Sequence, residues 1–301
     1  MKKPEPSVTV SGRLAGTRLD LFMVEAFPGM SRKKAKKLVD GRLVSVNGAI
    51  EHMASRELKT GDRISFREAE AVQKSEHPPS SLAVLFDRAG VLSVDKPWGL
   101  VSGSTLDPGR ASAEKIAKKQ FGGPLTLLHR LDRDTSGVLL FARDRATSAS
   151  MLEAFKKRAI AKTYLAVVSG TARPDFHDLC HLKEAGNSRV VVVKSGGMRA
   201  ETYFKTLDAA GGYSLVEARP VTGRMHQIRA QLARLGHPIA GDALYGGAAS
   251  VEKGGKSFPV KRQLLHALKV EFVHPSTGEK VGIESPVPED FSGVTRFLFG
   301  K

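Results

Sequence analysis

Two carboxylates stand among basic side chains in one short polar segment, His129–Gly137, and this segment is the part of the chain best suited to chemistry. Apolar residues at 125–128 and 138–141 flank it, which predicts two short strands joined by a tight connection. Side chains on such a connection are presented at a fixed geometry, so Asp132 or Asp134 can serve a reaction. The Asp, Thr, Ser and Gly residues are also turn formers, and a plain turn is the alternative interpretation.

A calcium loop is a second alternative for this segment. The order Asp132, Asp134, Ser136 matches the first half of an EF-hand loop. That loop needs a bidentate Glu at its twelfth position, where this chain has Arg143. Because nearby arginines would also repel a divalent cation, we predict no metal here. Neighbouring guanidinium groups instead favour the ionised form of Asp132, which suits a nucleophile, an electrostatic stabiliser or a base.

The composition points to a polyanionic partner. The 301 residues include 47 Lys and Arg against 31 Asp and Glu, a formal net charge of +16. Such a charge favours nucleic acid first and an anionic membrane surface second. A single cysteine excludes an internal disulfide framework and a multi-cysteine zinc site. Neither a signal peptide nor a long apolar run is visible, so we expect a cytoplasmic protein with no membrane partner.

Helix and strand signals divide the chain into a small and a large domain. Residues 11–68 predict a small α/β domain of two short helices and two strands. Residues 69–81 are polar, contain Pro and lack periodicity, which predicts a linker. The larger domain is expected at 82–301, with a mobile surface loop at its Gly- and Lys-rich segment 248–260.

The second helix of the small domain is strongly basic. It begins after Ser31 and ends before Gly41. Its cations can lie on the exposed side and contact a phosphate backbone, although such runs are also found on plain solvated surfaces. We expect nucleic-acid contacts from Arg32, Lys33, Lys36 and Lys37.

The string His129–Gly137 resembles the signature H-R-L-D-x-x-T/A-S/T-G around the catalytic aspartate of the RluA family of RNA pseudouridine synthases. Other blocks of that family stand in the expected order at residues 95–100, 161–168, 222–229 and 236–246. The small domain resembles the RNA-binding domain named after ribosomal protein S4. These resemblances imply an α+β fold: a large, mixed, mainly antiparallel sheet flanked by helices, preceded by a small α/β RNA-binding domain.

The resemblance implies catalytic roles for three side chains. Asp132 would be the nucleophile or the base that forms a glycal, and the sequence leaves both routes open. Arg229 would pair with Asp132, with Arg224 as the alternative pair or as a phosphate contact. Tyr164 would pack against the target base. Without the resemblance, a core tyrosine and surface arginines are the simpler interpretation.

The family resemblance also implies contacts to RNA around the site. Arg130 would occupy the space that the target base leaves in the RNA. We expect His129, Arg224 and Gln227 to contribute further RNA contacts.

The expected function is therefore the isomerisation of specific uridines in RNA to pseudouridine, with no metal and no cofactor. The uridine must leave its stack, at a cost on the order of a few kcal/mol. Large-subunit ribosomal RNA is the expected substrate, because a small RNA-binding domain ahead of this catalytic domain is typical of such family members, and transfer RNA is the alternative. A non-catalytic RNA-binding or ribosome-assembly protein on the same fold is the competing interpretation. We expect a monomer.

Overall fold

The computed structural model describes residues 6–40, 43–51, 53–66, 79–103, 109–186 and 189–300. The chain divides into two compact units, Met1–Glu76 and His77–Lys301. This division falls inside the linker predicted at 69–81, of which residues 69–78 lie outside the described residues. Each unit encloses a hydrophobic core of its own.

The small unit combines an antiparallel sheet with two helices. Its strands are β1 (Ser7–Thr9), β2 (Val44–Val46), β3 (Ala49–Ile50) and β4 (Arg63–Phe66), in the spatial order β1-β4-β2-β3. The helices are α1 (Leu19–Ala26) and α2 (Arg32–Asp40), and a short 3-10 helix, Gly12–Leu14, precedes them. Apolar side chains from both helices and the sheet form its core, among them Leu19, Phe22, Met23, Ala35, Leu38, Val39 and Ile64. The predicted small α/β fold is confirmed.

The large unit is built around one extended sheet and four helices in its described residues. The first strands are β5 (Ala83–Arg88), β6 (Val91–Lys96), β7 (Thr126–Leu127), β8 (Ser136–Ala142) and β9 (Ala161–Ser169). Then follow β10 (Asp175–Ala185), β11 (Arg189–Val193), β12 (Met198–Ala210), β13 (Tyr213–Pro220), β14 (Ser250–Lys253), β15 (Lys256–Pro259), β16 (Leu265–Val273) and β17 (Lys280–Glu284). The helices are α3 (Ala113–Phe121), α4 (Arg145–Lys156), α5 (Gln227–Arg234) and α6 (Glu289–Phe299).

Eleven of the described strands form the large sheet, in the order β11-β10-β12-β13-β9-β16-β8-β6-β5, with β17 beside β16 and β7 beside β8. The pairing of β16 with β8 is parallel, and the other described pairings in this sheet are antiparallel. The mixed, mainly antiparallel sheet predicted for this chain is confirmed. Helices α5 and α6 contribute Ile228, Leu232, Phe291, Val294 and Leu298 to the core beside β9 and β13.

The segment predicted as a mobile surface loop at 248–260 is instead a hairpin of β14 and β15, and that prediction was wrong. Val251 is fully buried in the main core, and the ring of Phe258 lies 5.5 Å from that of Phe297 in α6. The Gly254-Gly255 pair forms the turn at positive φ, so the glycines and lysines that suggested a loop belong to the turn and to the exposed side.

Strand β8 presents the polar connection that carries both loop carboxylates. Its residues are all buried, because Leu139 and Phe141 pack in one core cluster while Val138 and Leu140 pack in another. It pairs with β7 through Leu127 and Phe141, which confirms the two predicted strands and their tight connection.

No helix among the described residues is long and apolar enough to cross a membrane.

Gly137 of β8 lies close to the backbone of β16, and this close approach can be tested. It has a φ of 114°, and a Cβ built on it would lie 2.2 Å from the carbonyl oxygen of Ala267. Because the two strands would have to separate, we expect Gly137→Ala to lower the free energy of unfolding by about 2–4 kcal/mol or more. Urea unfolding followed by circular dichroism measures this change.

The matched control is Gly255→Ala in the β14–β15 turn. Gly255 has a φ of 73° but nothing within 4 Å of a built Cβ, so only the backbone conformation is penalised. We expect a loss of about 1–2 kcal/mol there. Equal losses in the two variants would contradict the close approach of β16 to Gly137.

Candidate active site

The connection between β7 and β8 is held in place by buried side chains that lie outside it. Ser102 Oγ donates to the carbonyl oxygen of Leu131 at 2.8 Å and accepts from the Leu131 N–H at 2.9 Å. The guanidinium of Arg262 is buried and donates to the carbonyl oxygen of Asp134 at 3.1 Å. The backbone on both sides of Asp132 is therefore fixed by hydrogen bonds.

Lys96 joins this connection to the Lys-Pro-x-Gly segment at 95–100. Its side chain is fully buried, and Nζ donates to the carbonyl oxygens of Pro97 at 2.9 Å, Leu100 at 2.7 Å and Arg133 at 3.1 Å. Burial lowers the pKa of the Lys96 ammonium to about 7. The three carbonyls match the three donors of an ammonium group, so Lys96 ties two loops together rather than lining a surface.

Asp132 is paired with a guanidinium from a distant part of the sequence. Arg229 Nη1 donates to Asp132 Oδ2 at 2.8 Å, across a separation of 97 residues. Arg229 is held in the first turn of α5, whose neighbouring Ile228 and Leu232 are buried. Its side chain is 8% exposed, whereas 24% of the Asp132 side chain remains exposed. The predicted Asp132–Arg229 pairing is present, and one side of the carboxylate is open to solvent.

A second carboxylate orients Arg229. Asp242 is 1% exposed and accepts from Nε of Arg229 at 2.7 Å and from Nη2 at 2.8 Å, so only Nη1 reaches Asp132. The Tyr245 ring lies below the same guanidinium, 5.1 Å from its Cζ. Burial opposes the charge on Arg229, but the hydrogen bonds and charges of the two carboxylates raise the pKa of Arg229 well above its usual value. Sequence analysis did not single out Asp242, although it lies in the family-like block 236–246.

Two arginines close to Asp132 in sequence, Arg133 and Arg143, pair with other carboxylates. Arg133 forms two hydrogen bonds with Asp134, at 2.8 and 2.6 Å. Arg143 forms a corresponding pair with Asp87 on the surface. Among the residues that the structure describes, no group of three or more acidic, His or Cys side chains is arranged to hold a metal ion.

Tyr164 lies in β9, two strands away from the start of β8. Ala267 of β16 is its register partner and is also the register partner of Gly137. Tyr164 is half-buried and packs against two core clusters. Burial of its hydroxyl, and then the charge of Asp132, raise the pKa of Tyr164 above its usual value. The charge of Asp132 therefore acts on the Tyr164 hydroxyl, and Tyr164 is a neutral phenol at neutral pH.

His129 serves to hold the loop. Its Nε2 accepts from the backbone N–H of Leu140 at 3.2 Å, and its ring lies 5.4 Å from that of Phe155. Burial, and then the charge of Lys162, lower the pKa of His129 to about 3, so its ring is neutral. These contacts account for the position of the neutral His129 ring without any contact to RNA. The neighbouring Arg130 is exposed to solvent.

Gln227 is likewise occupied within the protein. Its Oε1 accepts from Thr222 Oγ1 at 2.7 Å and from the Arg224 N–H at 3.0 Å. Its Nε2 donates to Thr202 Oγ1 at 2.9 Å and to the Glu201 carbonyl oxygen at 3.0 Å. A primary amide makes four hydrogen bonds, so none is left for RNA and the predicted contact is replaced by a structural role. The Arg224 guanidinium donates through Nε to the carbonyl oxygen of Arg199 at 3.2 Å and does not take the place of Arg229 beside Asp132.

One further side chain beside Asp132 was not singled out from the sequence. His226 precedes α5 and has a left-handed backbone conformation, with φ 51° and ψ 21°. Its Nε2 lies 3.8 Å from Asp132 Oδ2, and its Nδ1 lies 3.1 Å from the hydroxyl oxygen of Tyr245. The family-like block at 222–229, T-G-R-x-H-Q-I-R, contains this histidine. The spacing of residues in that block does not indicate which of them faces the Asp132 carboxylate.

In the small unit, helix α2 presents its cations to solvent. Arg32, Lys33 and Lys36 are exposed, as is Lys34, while the side chain of Lys37 lies outside the described part. Arg32 Nε also donates to the buried Asp20 at 3.0 Å, so this arginine has a structural partner. The lysines of α2 are the better candidates for a phosphate contact.

Comparisons with known proteins identify a family for each of the two units. The family model described as RNA pseudouridylate synthase matches residues 90–234, and the one described as S4 domain matches residues 17–64. Ribosomal large subunit pseudouridine synthase D of Xanthomonas campestris pv. campestris is 33% identical over 300 residues, which cover 92% of this chain and 87% of that protein. Ribosomal large subunit pseudouridine synthase C of Yersinia pestis is 34% identical over 297 residues, with coverage of 93% and 91%. The solved structure of human RNA pseudouridylate synthase domain containing 4 has the same fold, with a TM-score of 0.59, 23% identity, and coverage of 71% of this chain and 92% of that chain.

The Asp242–Arg229 pair generates a stability prediction. Asp242→Ala leaves a buried guanidinium with Asp132 as its remaining carboxylate, and we expect a loss of about 3–5 kcal/mol in the free energy of unfolding. Urea unfolding measures the loss. The control is Asp87→Ala, which breaks the surface pair with Arg143 and should change stability by less than about 1 kcal/mol. Similar small changes in both variants would show that Arg229 is not held by Asp242.

Proposed function

The chain belongs to the RluA family of RNA pseudouridine synthases and is an isomerase, and we propose that it converts uridines of large-subunit ribosomal RNA to pseudouridine at the Asp132 site. The proposal rests on one observation above all. Asp132 is held against a buried guanidinium and keeps an open side, on a connection whose backbone is fixed. A preorganised and accessible carboxylate is the group that glycosidic-bond chemistry at ribose needs.

The reaction is an isomerisation in which atoms balance without a redox partner. The bond between ribose C1′ and uracil N1 breaks, uracil turns, and a bond forms between C1′ and C5. The C5 proton is lost and N1 gains a proton. Asp132 acts either by attacking C1′ or by removing the C2′ proton to give a glycal, and the arrangement supports both routes.

Tyr164 and Arg229 complete the proposed catalytic group. Arg229 fixes the orientation of the Asp132 carboxylate through a hydrogen bond. Tyr164 packs against the flipped base. It is a neutral phenol whose pKa is raised by burial and by the charge of Asp132. Arg130 is exposed at the same loop and fills the space vacated in the RNA, while Arg224 contacts phosphate.

Three points support ribosomal RNA as the substrate. Both bacterial relatives carry names that refer to the large ribosomal subunit. An S4 domain precedes the catalytic unit in the sequence, and the formal net charge is +16. We further propose that the protein acts in the cytoplasm as a monomer. Mapping pseudouridines in cells with and without the gene distinguishes ribosomal RNA from transfer RNA.

Asp132→Asn tests the catalytic assignment. The amide keeps the shape of the side chain but is neither a nucleophile nor a base, so we expect pseudouridine formation to fall on the order of 1,000-fold or more. RNA affinity should change little. Tritium release from 5-tritiated uridine in RNA measures conversion, and filter binding measures affinity. The control is Asp134→Asn in the same loop, which should keep its activity. Loss of activity in that variant alone would show that Asp134, and not Asp132, is the catalytic carboxylate.

A charge variant in α2 tests the RNA-binding role of the small unit. Replacing Lys33, Lys34 and Lys36 with Gln should weaken RNA binding, because each phosphate contact releases counterions. The slope of log K against log salt should become shallower by about 0.7–0.9 for each lost contact. Fluorescence anisotropy at several salt concentrations measures this slope.

The matched control removes the same number of charges from the large unit. Lys119, Lys156 and Lys157 are exposed in or after α3 and α4 and are changed to Gln together. If this control weakens binding as much as the α2 variant, the effect is one of net charge and α2 has no special role.

A further inference from the structure

His226 is strained at the edge of the Asp132 site. Among the described residues, four that are not glycine have a positive φ: Asn47, Ala89, Arg158 and His226. All four lie in turns, and His226 is the one among them that lies beside Asp132. A left-handed conformation of a residue other than Gly costs about 1–2 kcal/mol, and such strain clusters at functional sites.

The turn before α5 holds the strain in place. Gln227 uses its carbonyl oxygen to bind the Thr222 hydroxyl and the Arg224 N–H, which closes the turn on itself. Its own N–H donates to the carbonyl oxygen of Arg224 at 3.2 Å. His226 lies in the middle of this closed turn, so its direction towards Asp132 is imposed by the protein.

The hydrogen bonds of Tyr245 determine which nitrogen of His226 carries the proton. The Tyr245 oxygen accepts from the Val190 N–H at 3.0 Å, and it lies 3.2 Å from the Val190 carbonyl oxygen and 3.1 Å from His226 Nδ1. A phenol has one proton to donate. If that proton went to Val190, Nδ1 would have to carry a hydrogen, and the Nε2 lone pair would face the Asp132 carboxylate.

The other assignment removes this repulsion. If Tyr245 donates to Nδ1, the hydrogen of the neutral imidazole is on Nε2 and points towards Asp132. Burial lowers the pKa of His226 and outweighs the charge of Asp132, which raises it, so the ring is neutral at neutral pH. The neutral Nε2–H tautomer is therefore the one that suits both ends of the ring.

The Nε2–H group is not used up by the aspartate. Its nitrogen lies 3.8 Å from Asp132 Oδ2, which is too long for a direct hydrogen bond, and that oxygen already accepts from Arg229. A substrate oxygen that enters beside Asp132 can therefore accept from Nε2. When the bond to C1′ breaks, negative charge develops on uracil, and the carbonyl oxygen O2 next to N1 shares that charge.

We propose that His226 is a further catalytic residue, whose Nε2–H donates a hydrogen bond to O2 of the departing uracil, and that Tyr245 is the positioning residue that selects this tautomer. This proposal rests on the proposed role of Asp132. A preorganised donor aimed at developing charge accelerates bond cleavage without strengthening ground-state binding. The effect should therefore appear in the rate of the chemical step and not in RNA affinity.

The kinetic test uses His226→Asn, because asparagine adopts the left-handed conformation readily but its amide is too short to replace the imidazole. We expect the single-turnover rate of pseudouridine formation to fall about 100-fold or more, with RNA affinity unchanged. The control is His177→Asn, at an exposed histidine of β10 that pairs with Glu201, and it should keep the wild-type rate. A normal rate in His226→Asn, or a loss matched by weaker RNA binding, overturns the proposal.

The second test asks whether Tyr245 acts through His226. Tyr245→Phe keeps the ring beside Arg229 and removes only the hydroxyl, so it should slow the chemical step in the wild-type background. It should have no further effect on the rate in His226→Asn, because the tautomer no longer matters there. Additive losses in the double variant overturn the role of Tyr245.

A spectroscopic readout separates this proposal from the proposed function. Nitrogen-15 NMR of labelled histidines, with His226→Asn used for assignment, should show the Nε2–H tautomer of His226 in the full-length wild-type protein. The Nδ1–H tautomer overturns the proposal whatever the activity is. Absence of pseudouridine formation by the wild-type protein, with the Nε2–H tautomer present, overturns instead the proposed function and with it the catalytic role of His226.

Discussion

One buried guanidinium shared by two carboxylates is the interaction on which this site depends. Arg229 gives two of its donors to Asp242 and one to Asp132, and it is almost inaccessible to solvent. A guanidinium is buried without a large penalty only if it is paired and hydrogen-bonded. Asp242 supplies a paired charge and two hydrogen-bond acceptors to the guanidinium, so the position of Arg229 Nη1 is set before any substrate binds. Asp132 then receives one oriented donor, while 24% of its side chain stays exposed to solvent.

The rest of the catalytic unit serves to keep that geometry constant. Strand β8 is buried on both sides, and its glycine approaches β16 so closely that no side chain fits between them. Lys96, Ser102 and Arg262 hold the backbone of the aspartate loop from separate parts of the fold. Reaction at a fixed carbon atom needs positions held to within a fraction of an ångström. Many hydrogen bonds to a short loop supply that precision better than the loop's own turn chemistry can.

Binding and chemistry are assigned to two units with separate cores. The small unit carries exposed lysines on α2, which attract phosphate over distances of about a Debye length and carry no information about the reaction. The large unit holds Asp132 against a buried guanidinium and has cores of its own. Because the exposed lysines and Asp132 belong to separate compact units, we expect substitutions in one set to leave the other unchanged.

The sequence by itself determined the family, the α+β class, the two units and the identity of Asp132, Tyr164 and Arg229 as candidates. It could do so because signature strings and hydrophobic periodicity are local properties, which short stretches of sequence record. The family resemblance predicted the Asp132–Arg229 pair across 97 residues, but only the tertiary structure decided where the other charged groups bind. Arg133 and Arg143, which are nearer to Asp132 in sequence, pair with Asp134 and Asp87 instead.

The structural partners of His129 and Gln227 and the 248–260 hairpin escaped prediction for the same reason, and the RNA contact of His129 stays a prediction. A polar side chain in a functional motif looks alike in sequence whether it faces RNA or holds the backbone, and its hydrogen-bond partners come from other strands. Asp242 and His226 gained their significance only when α5 packed against the sheet. Partner choice among buried polar groups is set by the direction of each side chain in the packed fold, and that direction is a property of the tertiary structure rather than of spacing along the chain.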